Sequence, residues 1–243
     1  MVPSEPPALL LVMPVFNEQA SVRKVVLEWF HEVENWTEDF VFLAINDGST
    51  DGTRSILNRL RETLGSRFEI LNQDNRGHGQ SCLAGYRLAV ERDIPYIFQI
   101  DSDGQCDPQF FFRLWRQRAE CPVIYGVRKH RDDGWRRVLA SLILRLFILT
   151  LFGRNCADAN VPYRLMRTRS IAKYLDRIPP SFSLANIGLA ILLRGDSNCR
   201  HGYVPIRFRE RYGGEPSVKL SLFGRKAFEL YRDIRGMLDR SEK

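Results

Sequence analysis

The sequence predicts an α/β fold in which a mostly parallel central sheet carries helices on both faces, and three observations support it. Short apolar, β-rich runs recur through the first half of the chain. Helix-length segments separate them in strict alternation. The most polar stretches stand directly after apolar runs, where open α/β sheets keep their binding crevice.

Apolar, β-rich runs at 8–13, 40–45, 68–71, 96–100 and 123–125 are each short enough to be a buried strand. The intervening segments 21–33, 53–64, 79–91 and 108–118 read as helices, with Asp51 and Asp107 placed as N-caps. After residue 130 the rhythm changes. A strongly apolar segment at 136–152 leads to a polar loop at 153–162, then helical stretches near 170–177 and 184–193. A strand at 203–208 and a basic helix over 218–238 close the chain.

A chain of 243 residues, 44% of them hydrophobic, can bury one substantial core, and two full domains would be cramped. With 36 Lys and Arg against 29 Asp and Glu, the net charge of +7 suits an anionic partner: a nucleoside diphosphate, a phospholipid surface or a nucleic acid. No recognition-helix pattern or aromatic-rich RNA motif supports a basic nucleic-acid-binding module. The five cysteines stand singly, without zinc-site spacing, and read as reduced thiols. The proline-rich start lacks a basic n-region, and the apolar run after it stops at Pro14. These features imply a cytoplasmic protein without a secretory signal.

Three polar loops would share one sheet edge. Asp101-Ser102-Asp103 leaves the fourth apolar run and, with Gln105, offers hard oxygen ligands for Mg²⁺ or Mn²⁺; the alternative is a solvated acidic turn. The loop Asn46-Asp47-Gly48-Ser49-Thr50-Asp51-Gly52-Thr53 is either a turn with a helix cap or a means of presenting Asp47 to a base or ribose. In Pro14-Val15-Phe16-Asn17-Glu18, Glu18 can accept from sugar hydroxyls.

These loops, in this order and joined by Asn75-Arg76-Gly77 before Gly79, resemble the motifs of family 2 glycosyltransferases over about the first 130 residues. The resemblance implies the GT-A fold, Rossmann-like, and inversion at the anomeric carbon. It implies that Pro14, Val15, Asn17, Glu18, Asp47, Gly77, Asp101, Ser102 and Asp103 line a nucleotide-sugar site, with Glu18 and Asp47 holding the nucleotide. Asp103 and Gln105 would bind the metal, with Asp101 beside them.

The second half is similar to the polyprenyl-phosphate branch, which includes dolichyl-phosphate mannose synthase. Arg128, Arg137 and Ser141 look like that branch's residues for the acceptor phosphate. The stretch Asp158-Ala159-Asn160-Val161-Pro162-Tyr163-Arg164-Leu165 would place Asp158 at the reaction centre, unless Asp158 merely pairs with Arg154 or Arg164. Val204-Pro205-Ile206 followed by Arg211 and Gly214 resembles the late loop whose arginine meets the donor diphosphate. Pro162 and the 215–219 run depart from the branch pattern. The resemblance implies one GT-A catalytic domain over 1–243: a nucleotide-sugar half at 8–130, an acceptor half at 131–217 and a C-terminal helix at 218–243.

The chemistry suits these residue types. Sugar transfer leaves negative charge on the departing diphosphate, which a divalent ion and Arg211 would stabilise. A phosphate acceptor is already largely ionised near neutrality, so it needs orientation more than a strong base. The resemblance implies as partners a UDP- or GDP-linked sugar and a polyprenyl phosphate, with a different lipid, a glycan or a protein as alternative acceptors.

The apolar segment bears on location. An α-helix over 138–152 would span about 22 Å at about 1.5 Å per residue, short of the roughly 30 Å hydrocarbon core. With Arg136, Arg137 and Arg145 it suits a helix lying in the interface of the inner leaflet; the alternative is a buried core helix. Homo-oligomerisation or an anchoring partner subunit is compatible with this reading.

Overall fold

The computed structural model describes residues 7–130, 135–156, 159–212 and 223–239; the side chains of 129–130, 135–141, 144 and 223–230 are not described. Strands β1 (Leu9–Val15), β2 (Phe40–Asp47), β3 (Phe68–Gln73), β4 (Tyr96–Gln99), β5 (Val123–His130), β6 (Arg164–Arg167) and β7 (His201–Arg207) form one sheet in the order β3-β2-β1-β4-β6-β5-β7. Helices α1 (Val22–Glu34), α2 (Thr53–Leu64) and α3 (His78–Glu91) connect the first four strands, which pair in parallel. The remaining helices are α4 (Phe111–Arg116), α5 (Trp135–Phe152), α6 (Thr168–Leu175), α7 (Ala185–Arg194) and α8 (Phe223–Asp239).

The continuous apolar run of β1 follows from its central place. Every residue from Leu9 to Met13 has zero exposure, because successive side chains enter opposite faces and both faces are covered. Leu11 and its neighbour Phe98 face the α1 side, where Trp29 and Phe111 meet Phe98 at ring-centroid distances of 5.5 and 5.1 Å. Val12 and its neighbour Gln99 face α3. There Gly85 lets the helix backbone descend onto the sheet: a Cβ at this position would come within 2.5 Å of Val12 Cγ1. Helices α6 and α7 lie beside α3.

The structure corrects the expected elements in three places. The sequence shows no apolar run for β6, yet this strand is inserted antiparallel between β4 and β5. Its four residues are arginine at both ends, so neither alternation nor hydrophobicity marks them. The expected helix 108–118 is split into a short 3₁₀ turn at Pro108–Phe110 and α4, which ends at Arg116. Asp107 does cap that turn, accepting from Gln109 N at 3.2 Å. Asp51 stands one residue before the Gly52 cap of α2, and its Oδ1 accepts from Thr53 N at 3.0 Å.

Candidate active site

The loops after β1, β2 and β4 are tied to one another by their own polar groups. Asn17 N donates to Ser49 Oγ at 3.0 Å, and Thr50 N donates to Asn17 Oδ1 at 2.8 Å. Asn17 holds a φ of +54°, a left-handed conformation that asparagine tolerates better than most residues. Glu18 N donates to Thr53 Oγ1 at 2.9 Å. The Asn17 side chain therefore knits the first loop to the second, while Pro14 and Val15 end β1 as buried residues beneath it. The buried Ser21 hydroxyl lies 2.6 Å from Glu18 Oε2 and 3.2 Å from the Ser102 carbonyl, joining the first loop to the third.

Asp47, at the end of β2, is buried and heavily used. Its Oδ1 accepts from Gln73 Nε2 at 2.7 Å and Arg76 N at 2.9 Å; its Oδ2 accepts from Gly77 N at 2.8 Å. A carboxylate offers about four lone-pair sites, so roughly one on Oδ2 is left for a ligand. Asp47 thus shapes the turn into α3.

The carboxylates of Glu18 and Asp103 flank Arg211, and Asp101 stands beside Asp103. Arg211 Nη2 donates to Glu18 Oε1 at 2.9 Å, and its Nε lies 3.9 Å from Asp103 Oδ2. Asp101 Oδ1 is 2.8 Å from His78 Nε2, and Asp103 Oδ1 accepts from Gln105 N at 3.0 Å. Burial pushes the Asp103 pKa up to about 6, and the negative charge of Asp101 acts in the same direction. Two hard carboxylates that repel each other at a partly dehydrated loop fit Mg²⁺ or Mn²⁺, since a divalent cation would relieve both costs. Among the described residues no group of three or more His, Cys, Asp and Glu side chains is arranged to hold a metal. Gln105, a substrate or water could supply ligands beyond the aspartates.

The residues expected at the acceptor phosphate are placed less completely. The Arg128 guanidinium on β5 lies 5.0 Å from the centre of the Phe208 ring, and Phe208 bridges Cys106 at the end of the metal-candidate loop. Arg137 and Ser141 fall on α5, but their side chains lie outside the described residues, as do Asp158, Gly214 and 215–219. Arg154 donates to the Arg194 carbonyl at 3.4 Å. Arg164 is fully enclosed and donates to the carbonyls of Ala159, Val161 and Asn186.

Sequence reasoning missed Ser21, His78 and Tyr212. His78 follows the recognised Asn75-Arg76-Gly77 motif, but nothing in the sequence links it to Asp101, 23 positions away. Tyr212 donates its N–H to the Asp103 carbonyl at 3.0 Å, a contact made by a segment far along the chain.

Helix α5 presents two faces. Ile148 is buried, Phe147 and Phe152 are half-buried, and Phe152 stacks on Tyr231 of α8 at 5.7 Å. Leu142, Ile143, Leu146 and Leu149 are each at least 41% exposed. Arg145 Nε donates to Asn155 Oδ1 at 3.0 Å. Among the described residues no helix is long and apolar enough to cross a membrane.

Comparison with known proteins gives concordant results. The family model described as Glycosyl transferase family 2 matches residues 10–176. The undecaprenyl-phosphate 4-deoxy-4-formamido-L-arabinose transferase of Serratia proteamaculans is 28% identical over 168 residues, 68% of this chain and 51% of the relative. The chain thus spans about half the length of that relative. The polyprenol monophosphomannose synthase of Mycolicibacterium smegmatis is 24% identical over 250 residues, covering 96% of this chain and 89% of the relative. Among solved structures, glucosyl-3-phosphoglycerate synthase from Mycobacterium tuberculosis, in complex with Mn²⁺, UDP and phosphoglyceric acid, superposes with a TM-score of 0.67 at 16% identity. It covers 94% of this chain and 78% of its own. That likeness is one of fold, the GT-A fold.

Proposed function

We propose, from the premise that this chain belongs to glycosyl transferase family 2, that it transfers a hexose-like sugar from a nucleoside-diphosphate sugar to a polyprenyl phosphate, with inversion. The observation that carries the donor side is the meeting of Glu18, Asp101, Asp103 and Arg211 at one sheet edge. Glu18 and Asp47 would hold the nucleotide, and Arg211 would turn from the carboxylates to the donor diphosphate. Asp101, Asp103 and Gln105 would hold a divalent ion, which supplies charge compensation to the leaving diphosphate. An acceptor phosphate oxygen displaces that diphosphate at the anomeric carbon in one step. No proton need be taken from an ionised phosphate, so Asp158 is assigned to positioning and charge balance at the reaction centre.

The acceptor assignment draws support from the polyprenyl-phosphate relatives and from Arg128 at the rim of the metal-candidate loop. The exposed leucines of α5 support peripheral attachment to a membrane surface, with the cytoplasmic leaflet as the proposed face. The test is incubation with polyprenyl phosphate and a panel of UDP- and GDP-sugars, following release of the nucleoside diphosphate. Transfer should require both substrates. Arg137→Lys should raise the KM for the lipid phosphate, because lysine cannot reproduce the guanidinium fork, and leave donor affinity near wild type. No turnover across the panel, or transfer only to a water-soluble acceptor, would remove the assignment.

A further inference from the structure

After β7 the chain crosses back over the Asp101–Gln105 loop, and backbone contacts guide it. Phe208 bridges Cys106, Arg209 N donates to the Gln105 carbonyl at 2.9 Å, and Tyr212 N donates to the Asp103 carbonyl at 3.0 Å. The Tyr212 ring then covers Gly104, whose φ is +82° and where a Cβ would come within 2.4 Å of ring atom Cδ2. Glycine at 104 therefore serves two needs, the left-handed turn and the close approach of the ring.

Side chains from α1 complete the arrangement. Glu28 Oε2 accepts from Arg209 Nη2 at 2.7 Å, and the Tyr212 hydroxyl lies 3.0 and 3.1 Å from the two Glu28 oxygens. Lys24, one turn earlier, places its ammonium 3.8 Å from the centre of the Tyr212 ring and 3.9 Å from Glu28 Oε1. Arg209 and Tyr212 flank Arg211 on either side. A short segment outside regular structure has few partners with which to offset the entropy of being ordered, and charge-assisted bonds to one carboxylate are among the strong ones open to it.

We infer that Glu28, through Arg209 and Tyr212, is a positioning residue for sugar transfer: it holds residues 208–212 on the Asp101–Gln105 loop so that Arg211 is aimed between Glu18 and Asp103. The role rests on the donor-site reading proposed above. Among the described residues Glu28 contacts Lys24, Arg209 and Tyr212, and its proposed action runs through the last two.

The test uses the full chain with Glu28→Ala, Glu28→Gln and Tyr212→Phe. Hydrogen exchange at the Arg209 and Tyr212 amides should accelerate at least about tenfold in Glu28→Ala and less in the other two, with the amides of β1 and β4 unchanged. UDP or GDP affinity in Mn²⁺, read by calorimetry, should weaken by about five- to thirtyfold, and the KM for the sugar donor should rise while the KM for polyprenyl phosphate stays constant. A merely structural role would instead lower thermal stability and move both KM values or neither. Faster exchange with unchanged nucleotide affinity and donor KM overturns the positioning role alone. Unaltered exchange in Glu28→Ala overturns the inference at its root. A wild-type chain that binds neither nucleotide removes the donor-site reading, and this role with it.

Discussion

Arg164→Met tests a charged side chain that is fully enclosed. The Arg164 side chain has zero exposure, and its donors reach the carbonyls of Val161 at 3.0 and 2.7 Å, Ala159 at 3.2 Å and Asn186 at 3.2 Å. Methionine keeps much of the volume and removes a charge that is costly to bury, a change that on its own can be neutral or favourable. The carbonyl oxygens, however, stay behind without their donors, at about 1–3 kcal/mol each. Three such groups, partly relieved by entering water and by the lost burden of the charge, leave a net cost of about 3 kcal/mol. For a chain of this size that corresponds to a fall in Tm of about 6–12 °C. Differential scanning calorimetry at neutral pH reads it directly. Hydrogen exchange should show the loss concentrated at 159–165, the stretch that follows Asp158, so turnover should fall even below the melting range. A Tm within about 2 °C of wild type would refute the reasoning, because it would mean that the carbonyls find other partners without cost.

Three further outcomes are expected. EDTA should abolish turnover and Mn²⁺ or Mg²⁺ restore it, with Asp103→Ala losing at least about 10²-fold in rate at unchanged Tm; full activity in EDTA would contradict the metal assignment. Leu142→Glu with Leu146→Glu should abolish co-sedimentation with anionic liposomes at nearly constant Tm, whereas Phe147→Glu should lower Tm because that ring packs against the core; liposome binding that survives the leucine pair would exclude this face as the membrane contact. Burial, with Arg194 adding to it, pushes the His201 pKa down to about 4. The unfolded imidazole binds its proton nearer pH 6.5, so the unfolded state holds more protons between about pH 6.5 and 4. Stability should therefore be fully present above that window and fall on acidification through it, and His201→Phe should flatten the decline in a pH series of thermal melts.

Much of the site was legible because a strand end followed by a polar loop is a local pattern. Leu9–Val15, Phe40–Asp47 and Tyr96–Gln99 announce themselves by their apolar runs, and Glu18, Asp47, Asp101 and Asp103 stand at or just after the ends of these strands. The sequence alone also marked the apolar segment that became α5, and its length excluded a membrane crossing. It did not separate that helix's buried Ile148 and half-buried Phe147 from its exposed Leu142 and Leu146, because large apolar side chains stand all round the helix and only the docking of α8 and the core chooses between them. Strand β6 was hidden for a related reason: Arg164 is enclosed only because carbonyls from Ala159, Val161 and Asn186 surround its guanidinium, and no pattern along the chain records partners in space. The pairing of His78 with Asp101, the folding of Tyr212 onto Gly104 and its tie to Glu28 likewise join positions far apart in sequence. What the sequence by itself determined is which residues stand at strand ends, since burial and periodicity are local constraints. What only the tertiary structure decided is which of those residues share a charge, a proton or a carbonyl, since that depends on how separate segments cross.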